Sequence, residues 1–144
     1  MRIEPYLFFD GRSEEAMIFY EQALGAEREA LMRFSDCPEP MPEDCLPPGG
    51  SQKVLHGSLL FQGQRLMFSD GSAAEEEGGF RGFSLTLQFV NEGEARKAFD
   101  KLAESGRVVM PLGPTFFSPC YGMLSDRFGV QWMVMVAPPN SQPS

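Results

Sequence analysis

Apolar and polar positions change rhythm along this chain, and they do so twice in the same order. Residues 3 to 9, IEPYLFF, form an aromatic and aliphatic run that predicts a strand. The turn DGRSEE follows, with Ser13 placed as a helix N-cap. EEAMIFYEQALG then sets Ala16, Phe19, Tyr20, Ala23 and Leu24 at helical spacing on one face, and Gly25 fits the stop. EREALMRF reads as a strand, and after a long loop VLHGSLLF and QRLMFSD read as two more, separated at Gly63 as in a hairpin.

The second pass opens on GFSLTLQFV, which alternates strictly. Phe83, Leu85, Leu87 and Phe89 point one way, toward a helix, while Ser84, Thr86 and Gln88 point the other. NEGEARKAFDKLAESG repeats the helix with Ala95, Ala98, Phe99 and Leu102 on its apolar face and Gly106 as its stop. RVVMPL, CYGMLSD and VQWMVMV supply three further strands. Glu15-Ala16 aligns with Glu94-Ala95, and Tyr20 with Phe99, at one offset of 79 residues (94 − 15 and 99 − 20). Both halves therefore read β-α-β-β-β, an internal duplication. The fold expectation is α+β: one domain over 1–137, built from module one (1–72) and module two (80–137) joined by SAAEEEGG, with 138–144 as a disordered tail. Each short sheet would carry one helix on its outer face, leaving the inner faces to form a shared concave cleft.

Composition narrows the partners. The chain has 144 residues, 42% hydrophobic, which is enough for one domain with a real core. Lys and Arg total 12 against 20 Asp and Glu, for a net charge of −8, and no basic cluster occurs. That excludes the electrostatic footprint of a nucleic-acid binder. The N-terminal apolar run is too short for a signal peptide, and no run approaches a bilayer span, so no membrane partner is expected. Three cysteines, Cys37, Cys45 and Cys120, are an odd number that suits a reduced, cytoplasmic setting, and the spacing of Cys37 from Cys45 matches no zinc pattern.

Several ordered motifs carry a family likeness: PYLFFDG, Phe19-Tyr20 with Leu24-Gly25, MFSDG, GFSLTL, the TFF segment, and DRFGVQWM with Asp126, Gly129 and Trp132. Together with the duplication, this set resembles the vicinal oxygen chelate superfamily of glyoxalases, extradiol dioxygenases and fosfomycin and bleomycin resistance proteins. Within it, the chain is most similar to the PhnB-like branch. The resemblance implies the paired-module fold, a homodimer, and metal ligands at one position on each of four strands. Here those positions fall on Pro5, on Phe68 or Ser69, on Phe83 or Ser84, and on Met133, where metal-dependent relatives carry a glutamate. None supplies an imidazole or a carboxylate, so neither the usual metal nor any other cofactor is expected. A methyltransferase reading, attached to some members of the branch, finds no glycine-rich loop after a strand to hold a methyl donor.

The remaining candidates are few. His56 is the single histidine; it reads either as a hydrogen-bonded structural residue or as a general base. Asp70 and Asp126 stand at strand–turn junctions and read as turn formers. The proline-rich loop 35–53 reads as a lid, a dimer arm or irregular chain. PTFFSPCYG gathers aromatics that would line a pocket or pack in a core or dimer interface, and Cys120 has no base near it in sequence. The candidate ligand-binding set is His56, Ser69, Ser84, Thr86, Gln88, Tyr121 and Gln131 as hydrogen-bonding groups, against an apolar wall of Phe116, Phe117 and Met133. The functional expectation is a protein that binds a small molecule without the usual metal site. Its alternatives are a glyoxalase-, lyase- or dioxygenase-type enzyme with a displaced metal or metal-free mechanism, and a dimeric scaffold.

Overall fold

The computed structural model describes residues 1–39, 42–71 and 79–138. The linker and tail expected at 72–79 and 138–144 therefore lie almost entirely outside the described residues. The chain divides into two units, Met1–Glu77 and Gly78–Ser144.

The first unit holds β1 (Tyr6–Phe8), α1 (Ser13–Leu24), β2 (Glu27–Arg33), β3 (Val54–Phe61) and β4 (Gln64–Ser69). Its strands lie in the order β1-β4-β3-β2, with β1 parallel to β4 and the other pairs antiparallel. The second unit repeats this with β5 (Leu85–Phe89), α2 (Glu92–Ala103), β6 (Arg107–Gly113), β7 (Cys120–Ser125) and β8 (Gln131–Val136), in the order β5-β8-β7-β6. Again only the first strand pairs in parallel, β5 with β8. The helices obey the offset read from the sequence at both ends (92 − 13 and 103 − 24). The expected α+β duplication is thus the observed architecture.

Each helix lies on its sheet where a glycine lets it approach. A Cβ added to Gly57 on β3 would stand within 3.0 Å of the Met17 thioether on α1. The corresponding atom on Gly122 of β7 would meet the Phe99 ring of α2 at 2.9 Å. The first core accordingly gathers Leu7, Leu59, Leu66 and Phe68 with Ala16, Met17 and Tyr20 of α1. The second gathers Leu124, Trp132 and Val134 with Ala95, Ala98, Phe99 and Leu102, the helical face the periodicity predicts.

Several expectations need correction. Ser13 is not the N-cap: it is the first residue of α1, fully buried, and its hydroxyl has no hydrogen-bond partner. The Asp70 carboxylate does the capping from outside the helix. Its Oδ1 accepts from the backbone N–H of Gly11 and of Ser13, each at 2.9 Å, and Oδ2 accepts from Val54 N–H at 3.0 Å. A carboxylate there satisfies otherwise orphaned donors and faces the positive end of the helix dipole. The first strand is shorter than the run 3–9, and β5 begins at Leu85, so Phe83 and Ser84 precede it. Phe83 is exposed and meets the edge of Phe80 instead of packing on α2. The hairpin turn is as read, with Gln62 and Gly63 both at positive φ (50° and 87°), the type I′ geometry that matches strand twist. Within 35–53 the described residues make three short 3-10 turns.

Candidate helix-free sheet faces

In each unit one sheet face is covered by the helix, and alternation assigns the other face its residues. Gly57 fixes the parity in the first unit, because the Cβ it lacks would point at α1. Phe68, its partner across the β3–β4 pair, shares that face and is fully buried among Phe9 and Tyr20. The opposite face therefore carries two transverse rows. One runs Phe8, Ser69, His56, Met32 and the other Tyr6, Met67, Ser58, Ala30.

Gly122 fixes the parity of the second unit in the same way. Its helix-free face carries a row of Gln88, Met135 and Tyr121, and a row of Thr86, Met133, Met123 and Met110. Gln131 and Ser125 form the next row. Thr86 and Gln88 are exposed, Gln131 and Met133 are half-buried, and Thr86 Oγ1 lies 4.0 Å from Met133 Sδ. Ser84 is half-buried just before β5. Phe117 meets the Tyr121 ring edge-on at 4.9 Å, and Phe116 meets Phe117 at 5.0 Å. Phe116 is 100% exposed, which removes it from the core of this chain. The loop bearing these rings is tied down by buried Ser118, whose hydroxyl lies 2.7 Å from the Cys120 carbonyl and 2.6 Å from that of Val136.

The first unit's face holds an interaction the sequence does not announce. Tyr6 Oη lies 2.9 Å from His56 Nδ1, and the Tyr6 ring stacks on Phe8 at 5.1 Å. Burial pushes the Tyr6 phenol above its ordinary range, and the nearby Ser69 hydroxyl partly offsets that. Ser69 has the expected orientation but is buried, with its hydroxyl donating to Leu55 O at 2.8 Å and accepting from Gly71 N–H at 2.9 Å. It shapes this face more than it offers a free group. Beyond Met67, Arg65 binds Glu29 through Nε at 2.9 Å and Glu4 through Nη1 at 3.1 Å. Cys120 is buried on the helix side of β7, and burial first of all raises its thiol pKa, the wrong direction for a nucleophile.

These positions permit a test of the superfamily's metal site. Phe68 is excluded as a ligand position because it lies in the core, while Pro5 and Phe83 fall outside the strands. The helix-free positions on β1, β4, β5 and β8 are Tyr6 and Phe8, Met67 and Ser69, Thr86 and Gln88, and Gln131, Met133 and Met135. They offer a phenol, hydroxyls, amides and thioethers, with no imidazole or carboxylate. Among the described residues no three His, Cys, Asp or Glu side chains lie together. This donor set does not fit a catalytic divalent cation.

The sequence profile of the glyoxalase/bleomycin resistance protein/dioxygenase superfamily matches residues 2–134. The chain belongs to that superfamily. Within it, Protein YjdN of Escherichia coli K12 is 32% identical over 143 residues, covering 94% of this chain and 95% of the relative. Protein PA1353 of Pseudomonas aeruginosa is 41% identical in its crystal structure, with a TM-score of 0.83 over 95% of this chain and 98% of that one. The PhnB protein of Bacillus cereus is 32% identical, with a TM-score of 0.76 over 95% and 100% of the two chains. The PhnB-like resemblance read from the motifs is thus found again in whole-chain comparison. Of the candidate ligand-binding residues, the structure brings Thr86, Gln88, Gln131, Met133 and Tyr121 to one face of the second sheet and puts His56 on the helix-free face of the first. Tyr6, Met110 and Met123, which also lie on these faces, were not among the candidates read from the sequence. Carrying the strand parity back from Leu7 would have placed Tyr6 and Phe8 on the same face as His56. The Tyr6–His56 bond itself joins residues 50 apart and left no local signal.

Proposed function

We propose that this superfamily member binds a small organic molecule on the helix-free faces of its sheets, without the family's usual metal. The observation that carries this reading is the second unit's face. Thr86, Gln88 and Gln131 there flank Met133, which stands in one row with Met123 and Met110 on adjacent strands, with Tyr121 and Phe117 beside them. Thioethers and rings give an adaptable apolar wall, and a few amide and hydroxyl groups at its border fix orientation. Such a surface recognises a compact molecule that is apolar over most of its area and carries one or two hydrogen-bonding groups.

The donor set at the superfamily's ligand positions supports metal-independent binding. A ligand-observed NMR screen of small aromatic and polar compounds, run in chelator, tests the reading. Compounds that bind wild type are expected to bind the Thr86→Ala, Gln88→Ala double variant roughly thirtyfold more weakly, since each of the two lost hydrogen bonds accounts for about 1 kcal/mol. Binding that appears only after Zn, Ni or Mn is added would overturn it.

The homodimer implied by the resemblance stays part of this proposal. Strand β6 ends its sheet and exposes Val108, Val109 and Met110, on both of its faces. A second copy would cover them. Light scattering on the full chain should give twice the monomer mass, and Val108→Lys with Met110→Lys should lower it to one; a monomeric wild type would contradict the dimer.

A further inference from the structure

The first unit's face points to a more specific recognition element, and this inference deepens the small-molecule reading above. We propose that Tyr6 is a positioning residue that holds His56 in one tautomer, making Nε2–H a preset hydrogen-bond donor for a neutral planar ligand with a carbonyl-type acceptor.

The geometry supplies the pairing. Tyr6 Oη and His56 Nδ1 are 2.9 Å apart across neighbouring strand rows, and among the described residues nothing hydrogen-bonds Nε2. Two polarities are compatible with that distance. In one, the phenol donates to Nδ1; in the other, Nδ1–H donates to the phenol oxygen. A phenol is the better donor of the two groups, and an unprotonated imidazole nitrogen is a far better acceptor than a phenol oxygen. The first polarity is therefore favoured, and it places the ring proton on Nε2. The raised pKa of Tyr6, caused by burial, keeps the phenol in its donating form.

Ring surface and charge define the ligand class. Tyr6 and Phe8 are stacked and each is about a third exposed, and the His56 ring is tilted against Tyr6 at 5.6 Å. Together they form a flat patch suited to an aromatic ring. The charged groups on this sheet face are Glu4, Glu27, Glu29 and Arg65, and the guanidinium is already bound by Glu4 and Glu29. Among the described strand residues, Arg65 is the one guanidinium on this face, and so paired it is not free to receive a phosphate, phosphonate or carboxylate. Nearby cations on the helix side are also engaged: Arg33 with Glu14, Arg28 with Glu21, and Lys53 with the Gly11 carbonyl. The patch therefore favours a neutral acceptor over an anionic one.

The tautomer can be read without any ligand. Two-bond 1H–15N spectra of the full chain at about pH 8, where an ordinary imidazole is neutral, should show the His56 Nε2–H pattern. Tyr6→Phe keeps the ring and should shift that pattern to a tautomer mixture. An Nδ1–H pattern in wild type, or a pattern unchanged by Tyr6→Phe, overturns the positioning role whatever the protein binds. Acetophenone and benzoate then serve as probes of ligand class. Acetophenone should move the His56 ring signals, and its affinity should fall about fivefold in Tyr6→Phe and His56→Gln, the loss of one hydrogen bond. Benzoate perturbing His56 as strongly as acetophenone, or acetophenone leaving His56 unmoved, overturns the ligand class. Binding of other compounds at Thr86 and Gln88 would meanwhile leave the broader reading intact.

Discussion

Asp70 shows how much one side chain does in this fold. From the sequence it reads as a turn former, but it is 2% exposed and accepts three backbone N–H bonds from two distant segments. It ties the start of α1 and the start of β3 to the end of β4. Asp126 acts similarly in the second unit, accepting from the backbone N–H of Phe128 and Val130 and from Trp132 Nε1 at 2.9 Å. Both carboxylates belong to the framework and neither is left over for catalysis. Asp70→Ala should therefore cost about 3 kcal/mol of unfolding free energy in urea, because buried donors lose their acceptors. A loss of about 0.5 kcal/mol or less, the range of an ordinary surface substitution, would contradict that account. The same residue scale explains why the site was only half legible. Ser69 and Thr86 look alike as polar residues in strands. Only the structure shows that Ser69 spends its hydroxyl on Leu55 and Gly71 while Thr86 stands exposed.

At the scale of elements, the duplication was legible because the apolar faces of both helices keep their spacing at one offset. Strand ends were less legible. Apolar runs such as IEPYLFF and GFSLTLQFV extend past the residues that pair, since pairing depends on the neighbouring strand and not on local hydrophobicity. The two equivalent glycines were not singled out at all, because a close helix–sheet approach leaves no periodic trace. They make an asymmetric prediction. At Gly57 an added methyl meets the far end of Met17, a flexible chain that can move. At Gly122 it meets the Phe99 ring, Leu112 and the Met110 carbonyl within about 3 Å, of which the ring and backbone cannot yield cheaply. Gly122→Ala should destabilise by about 2 kcal/mol, within the overpacking range, and Gly57→Ala by clearly less. Equal losses in chemical denaturation, or the reverse order, would contradict this reading of the packing.

For the whole molecule, the fold is that of the glyoxalase/bleomycin resistance/dioxygenase superfamily, with a donor set that does not match the superfamily's metal chemistry. Each strand position that would face a metal carries a phenyl, phenol, hydroxyl, amide or thioether group. The motif DRFGVQWM preserves the framework through Asp126 and Trp132, while Met133 places sulfur on the face opposite the helix. The acidic balance, −8 overall, agrees with the bound Arg65 in disfavouring anionic ligands. Among the described residues no helix is long and apolar enough to cross a membrane. The central claim is metal-independent binding on the helix-free faces, and amide and methyl shift mapping of the isotope-labelled full chain tests it most directly. With the best-binding compound in chelator, the largest shifts are predicted on the second unit's helix-free face, at Thr86, Gln88, Tyr121 and the methyl groups of Met123 and Met133, unchanged when Zn, Ni or Mn is supplied. Shifts confined to other surfaces, or shifts that require the added metal, would contradict it.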